Sequence, residues 1–168
     1  MKKLIFAVIF SLSYIFAQAL DLSLGGMTYT LNTETKEATL IICFNNNPQV
    51  VHIPATIEHK GETYTVVAIG DYCFYNKSTI TAVDFDEASQ IKSIGKKSFM
   101  NCNKIESLDL PDEVTTLGSY SFASCSSLTT LELPAKLETM AEGSFSECTS
   151  LTEVSIPPQV STIGKDCF

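Results

Sequence analysis

The chain repeats itself, and that constrains its fold more than anything else in it. Phe74, Phe99, Phe122, Phe145 and Phe168 are separated by 25, 23, 23 and 23 residues. Cys102, Cys125 and Cys148 keep the interval of 23, and so do Pro111, Pro134 and Pro157. A unit this short cannot bury its own apolar face. The units must therefore stack, and stacking turns matched sequence positions into columns of like residues.

Alignment on the phenylalanines gives five units: 48–79, 80–104, 105–127, 128–150 and 151–168. Each opens with a strand-like stretch, such as Ile105–Leu110 or Leu128–Leu133, in which side chains alternate between two faces. A proline, which has no N–H for a ladder, then stops the strand. A second apolar stretch follows, as in Val114–Leu117, and then a glycine: Gly70, Gly95, Gly118 and Gly164, with Ala141 breaking the column. A glycine recurring at a corner implies positive φ or close backbone approach. The segment from Ser119 to Cys125 reads as a single helical turn. These features predict a β-rich, horseshoe-like leucine-rich repeat solenoid of about five coils, each of ~23 residues with a short helical turn.

The expected core is a set of columns. Val51, Val83, Leu108, Leu131 and Val154 make one; Ile53, Phe85, Leu110, Leu133 and Ile156 a second; Ile69, Ile94, Leu117, Met140 and Ile163 a third; the phenylalanines a fourth.

The ends differ from the middle. Residues 1–19 carry Lys2 and Lys3, an apolar run from Leu4 to Phe16, and small residues at Ala17 and Ala19. That order is a secretory signal peptide, and the run is shorter than the roughly 20 residues a bilayer span needs. Residues 20–47 read as a β-hairpin cap, with strands near Met27–Leu31 and Ala38–Ile42, because a solenoid's end coil otherwise exposes its core. The solenoid proper is 48–168. Its first unit holds an extra hairpin, Ala55–His59 and Glu62–Val66 around Lys60 and Gly61. The last coil, ending at Phe168, is incomplete and uncapped, which predicts a longer array or self-association through that coil.

Removing residues 1–19 takes away two lysines and no acid, which moves the net charge from −8 to −10. Such a chain has no electrostatic reason to bind nucleic acid or an anionic membrane; its acidity suits a basic partner or a cation, or serves only to keep the protein soluble, and composition alone favours the second. Six cysteines in an exported chain would suggest disulfides. Yet side chains in one stacked column sit ~4.8 Å apart, wider than the ~3.8 Å Cβ separation a disulfide prefers. Cys102, Cys125 and Cys148 are therefore expected to be small buried hydrophobes. No CxxC pair or histidine cluster marks a metal site, and no cofactor motif is present.

Units such as Leu128-Thr-Thr-Leu-Glu-Leu-Pro134, with the glycine corner and the Ser-Phe-x-x-Cys turn, resemble the BspA-like leucine-rich repeats of exported surface proteins. The resemblance covers roughly residues 48–168. Departures are Asp86 in the proline column, Lys77 in the cysteine column and Ala141 in the glycine column. The resemblance implies a right-handed solenoid, secreted or held at the cell surface, used for adhesion or protein–protein contact, often with host matrix proteins. It implies no active site.

Ligand-binding candidates occupy the outward positions of the first strands: His52, Asp84, Asp109, Glu132 and Ser155, with Glu153 beside them. Stacking would line the carboxylates along the concave face, where like charges directly opposite are unfavourable unless a basic ligand offsets them. The alternative is an ordinary solvated face, its repulsion screened beyond ~8 Å. His52 beside Asp84 would suit an acid–base or metal pair only with a nucleophile or metal in reach. No GxSxG, HExxH or P-loop accompanies it, so an enzyme is not expected. Asn76-Lys77-Ser78 is an N-glycosylation sequon for a host that glycosylates. The leading expectation is a binding module for a protein ligand. Its rival is a structural segment of a longer array without a ligand of its own.

Overall fold

The computed structural model describes residues 19–43 and 48–168. Apart from Ala19, the expected signal peptide lies outside them, as do residues 44–47 of the expected cap. The strands are β1 (Ala19–Leu24), β2 (Met27–Asn32), β3 (Glu37–Cys43), β4 (Val50–Ile53), β5 (Thr56–His59), β6 (Glu62–Ile69), β7 (Ala82–Phe85), β8 (Ser93–Ile94), β9 (Ser107–Asp109), β10 (Thr116–Leu117), β11 (Thr130–Glu132), β12 (Thr139–Met140) and β13 (Thr162–Ile163).

One nine-stranded sheet runs β1-β2-β3-β6-β8-β10-β12-β13, with β5 beside β6. From β3 onward its pairs along this order are parallel. Each coil contributes one strand and returns to the same side, so neighbours run the same way. Their register is the sequence period: Thr116 faces Thr139, Leu117 faces Met140, and Ile163 faces Met140 from the other side. The first strands of the coils form two short parallel pairs, β4 with β7 and β9 with β11. Leu108 and Leu110 are buried and Asp109 is exposed, as strand alternation requires.

The expected helical turns are absent: no helix occurs among the described residues. A helix would return each N–H to its own preceding turn. Here Tyr120, Phe122 and Ser124 donate instead to the carbonyls of Glu142, Ser144 and Ser146 in the next coil, each at 2.8 Å. The N–H groups between them close tight turns onto Gly118, Tyr120 and Phe122. Half of the donors thus tie coil to coil, which a helix cannot do. The alternation needs left-handed residues, found at Tyr120 (φ 58°) and Ser124 (φ 60°), and likewise at Lys97 and Asn101 in the coil before.

The glycine column answers the choice left open by the sequence. Gly95 and Gly118 are not in the left-handed region. Instead a Cβ on Gly95 would lie 2.5 Å from the carbonyl carbon of Gly70, and one on Gly118 2.7 Å from that of Gly95. Close backbone approach between coils is the reason, and the positive φ falls two residues later.

The phenylalanine column is the spine of the core. Phe74, Phe99 and Phe122 have no exposed surface. Successive rings from Phe74 to Phe168 stack with centroids 4.8, 5.1, 5.4 and 5.8 Å apart. Ser98, Ser121 and Ser144 form an inner column beside them, fully buried, with Cys73 and Cys167 at its two ends. In the coil that holds β13, Ile163 is 53% and Phe168 55% exposed.

The first 25 described residues form a three-stranded meander, β1-β2-β3, where the sequence suggested two strands. The missed strand, β1, alternates Leu20, Leu22 and Leu24 ahead of Gly25 and Gly26, both at positive φ. That pattern is a two-residue hairpin signal. β3 then continues straight into the solenoid sheet: Leu40 faces Ile69, and Gly70 N–H donates to Leu40 O at 2.7 Å. The hairpin of the first unit forms as β5 and β6, turning at Lys60 (φ 52°) and Gly61 (φ 79°).

Candidate functional site

The outward positions of the first strands are divided between two strand pairs. His52 and Asp84 are Cα partners in β4 and β7, and Asp109 and Glu132 are Cα partners in β9 and β11. All four are exposed. Glu153 and Ser155 are exposed too, in a stretch that forms no strand. The row expected from stacking is thus two steps of like position rather than one uninterrupted ladder.

What gathers the acids is a recess of about 360 Å³ between the coils of β7 and β9. Asp84, Asp86 and Glu87 line it from one coil, and Asp109, Asp112 and Glu113 from the next. His52, Glu132, Glu153 and Ser155 stand outside its lining. Glu113 is paired with Lys136 of the following coil. Among the described residues, Asp84, Glu87, Asp109 and Asp112 have no ion-pair partner. Four carboxylates facing a shared, partly enclosed volume create a negative potential that a basic side chain would relieve.

The histidine does not pair with Asp84. Its Nε2 lies 2.9 Å from Asp86 Oδ1, while Asp86 Oδ2 accepts the Ala55 N–H at 2.8 Å. Asp86 occupies the proline column, and its carboxylate ties the end of β4 and the residue after Pro54 to the next coil. The sequence marked Asp86 only as a departure from the repeat. The substitution of an acceptor for a proline was the signal that it had a partner.

The cysteines are free and buried. The Sγ–H groups of Cys102, Cys125 and Cys148 donate to the carbonyls of Phe74, Phe99 and Phe122 at 3.2, 3.4 and 3.2 Å. Burial pushes the Cys102 thiol up to about 12 and the Cys148 thiol to about 11, which keeps both protonated at neutral pH. Among the described residues no group of three or more His, Cys, Asp or Glu side chains is arranged to hold a metal ion. Asn76 of the sequon is exposed in a left-handed turn, with its Oδ1 accepting from Asn101 Nδ2 at 2.6 Å. No helix among the described residues is long and apolar enough to cross a membrane.

A family model described as the BspA type leucine-rich repeat region matches residues 65–168 in six copies. Among solved structures, the chain is similar to a leucine-rich repeat protein of T. pallidum, at 23% identity and TM-score 0.75 over 88% of this chain and 66% of that one. It is also similar to the pneumococcal vaccine antigen PcpA, at 18% identity and TM-score 0.65 over 87% of this chain and 46% of that one. A leucine-rich cell surface protein of Faecalibacterium prausnitzii matches at 23% identity and TM-score 0.51, over 90% of this chain and 52% of that one. The chain thus spans between about half and two thirds of the length of these proteins. No curated protein sequence matches it.

Proposed function

The chain belongs to the BspA-type leucine-rich repeat family, and from that premise we propose that it is an exported protein-binding scaffold whose ligand docks on the face carrying β7, β9 and β11. The observation that carries this reading is the recess lined by Asp84, Asp86, Glu87, Asp109, Asp112 and Glu113. A single repeat fold hosts many ligands, so the site must name the chemistry. Acids that repel one another cost stability unless they attract something. The ligand is accordingly a basic segment of another protein, with Lys or Arg side chains entering the recess. Matrix proteins of a host supply such segments, and adhesion at the cell exterior is the role that fits them. Asp84, Asp109 and Glu132 give the direction of docking, and His52, Glu153 and Ser155 extend the face on either side.

The test is binding of the secreted chain to immobilised matrix and plasma proteins at low and high salt. Saturable binding that weakens with salt, and weakens further when Asp84, Asp109 and Glu132 are all changed to Ser, supports the reading. Binding indifferent to the triple change would place the ligand elsewhere. A folded chain that binds none of them would favour the structural-segment reading.

A further inference from the structure

We propose that the outer edge of β1 is a self-association surface, pairing antiparallel with β1 of a second copy. The inference is independent of the ligand reading. β1 is the terminal strand of the nine-stranded sheet, and among the described residues no strand pairs with its outer side. Leu20, Leu22 and Leu24 face Leu31, Tyr29 and Met27 across the β1/β2 pair. Directly opposed residues of an antiparallel pair share a face. The three partners are buried in the core, yet Leu20 is 39% and Leu24 48% exposed. The core face of the sheet therefore overhangs the body by one strand, and carries a row of leucines out with it.

The edge is also unprotected. Edge strands of monomeric proteins are blunted by Lys, Pro, bulges or shortness. β1 has six residues, with no Lys or Pro among them. It runs in six consecutive register pairs without a bulge, whereas the β2/β3 and β3/β6 pairings each contain a shift. Its single charge, Asp21, points to the other face, where Asp21 Oδ1 accepts from Thr30 Oγ1 at 2.7 Å.

The strand is complementary to itself. With a two-fold axis at Leu22, Leu20 meets the second copy's Leu24, and Asp21 meets its Ser23. Leucines oppose leucines on one face, and no like charges oppose on the other. The two-fold keeps both bodies on the same side of the joined sheet, so the six leucines fill the space between them.

Sedimentation velocity of the exported chain, residues 20–168 without the expected signal peptide, over a concentration series tests this. The expected result is a monomer–dimer equilibrium. Ser23→Asp leaves the leucine row intact and keeps an acceptor for the Thr28 hydroxyl, which lies 2.9 Å from Ser23 Oγ, and it places a carboxylate opposite the second copy's Asp21 twice per dimer. It should weaken dimerisation about tenfold at low salt. Ser23→Lys should leave it unchanged or tighter, and Leu22→Lys should abolish it. Circular-dichroism melts check that each variant is folded. A chain that stays monomeric to about 100 µM, or a dimer indifferent to Ser23→Asp, overturns the proposal.

Discussion

The ring of Tyr120 occupies the space that a side chain at Gly143 would need: a Cβ there would lie 2.3 Å from Tyr120 Cε1. The two residues hold the same position in successive coils, both left-handed, at φ 58° and 63°. Tyr120 O–H donates to Glu142 Oε1 at 2.7 Å, which fixes the ring over the glycine, and Lys97 Nζ sits over the ring, 5.7 Å from its centroid. Gly143→Ala should destabilise by about 1–3 kcal/mol, through left-handed strain and the displaced ring. In the Tyr120→Ala background the steric part disappears, so the same change should cost only about 1 kcal/mol. A double-mutant cycle by urea denaturation measures the difference, and equal costs in both backgrounds would show that the ring contact carries no energy.

The stacked phenylalanines predict a gradient of stability. Phe122 has no exposed surface and touches a ring on either side, whereas Phe168 stacks on one side only and is 55% exposed. Phe122→Ala should cost about 3–5 kcal/mol. Phe168→Ala should cost less than about 1.5 kcal/mol, because little water-free surface is lost. Thermal melts of the two variants side by side check the ratio. Similar losses would mean that the last coil is covered in solution.

These columns show what the sequence made legible and why the rest was hidden. Phe, Gly, Pro and Cys recur at 23 residues because stacking brings them into contact, so periodicity reports the core directly. The continuous sheet was harder to see, since β8, β10, β12 and β13 are two residues each and leave no alternation to read. The turns after the glycines were misread as helical because their hydrogen bonds leave the coil, and local propensity holds no trace of a donor spent on the next coil. Tyr120 and Lys97 give no sign of positive φ, being residue types that seldom adopt it. The acidic positions were half legible. Asp84 and Asp109 followed from alternation, but Asp112 and Glu113 lie just past a proline and join the recess only through the turn's path.

The buried thiols make the fold sensitive to alkali. Burial raises Cys148 from its ordinary 9.0 to about 11 and Cys102 to about 12, and it raises Cys73 and Cys125 as well. A group whose folded pKa is raised stabilises the fold fully below its unfolded value. That contribution is lost as pH rises from about 9 through the folded values, because the unfolded chain gives up its protons first. Urea midpoints should accordingly be flat from pH 7 to 8.5 and fall between about 9 and 11. Replacing Cys102, Cys125 and Cys148 together with Ala should flatten most of that fall, despite a lower starting stability. An equal alkaline slope in the triple variant would assign the effect to other groups.

Asp86 separates a structural hydrogen bond from a surface ion pair. Its carboxylate accepts from the backbone of Ala55, which is 7% exposed, and pairs with the imidazole of His52, whose side chain is 60% exposed. A buried donor left without an acceptor costs about 1–3 kcal/mol, and an exposed pair contributes about 0–1 kcal/mol. Asp86→Ala should therefore destabilise by about 1–2 kcal/mol, and Asp86→Asn should recover much of that loss, since its amide oxygen can still accept from Ala55. His52→Ala should change stability by less than about 0.5 kcal/mol. Hydrogen exchange at the Ala55 amide locates the effect: faster exchange in Asp86→Ala but not in His52→Ala places the energy in the backbone contact. Equal losses from both single changes would instead make the imidazole–carboxylate pair the structural element that joins the first two coils.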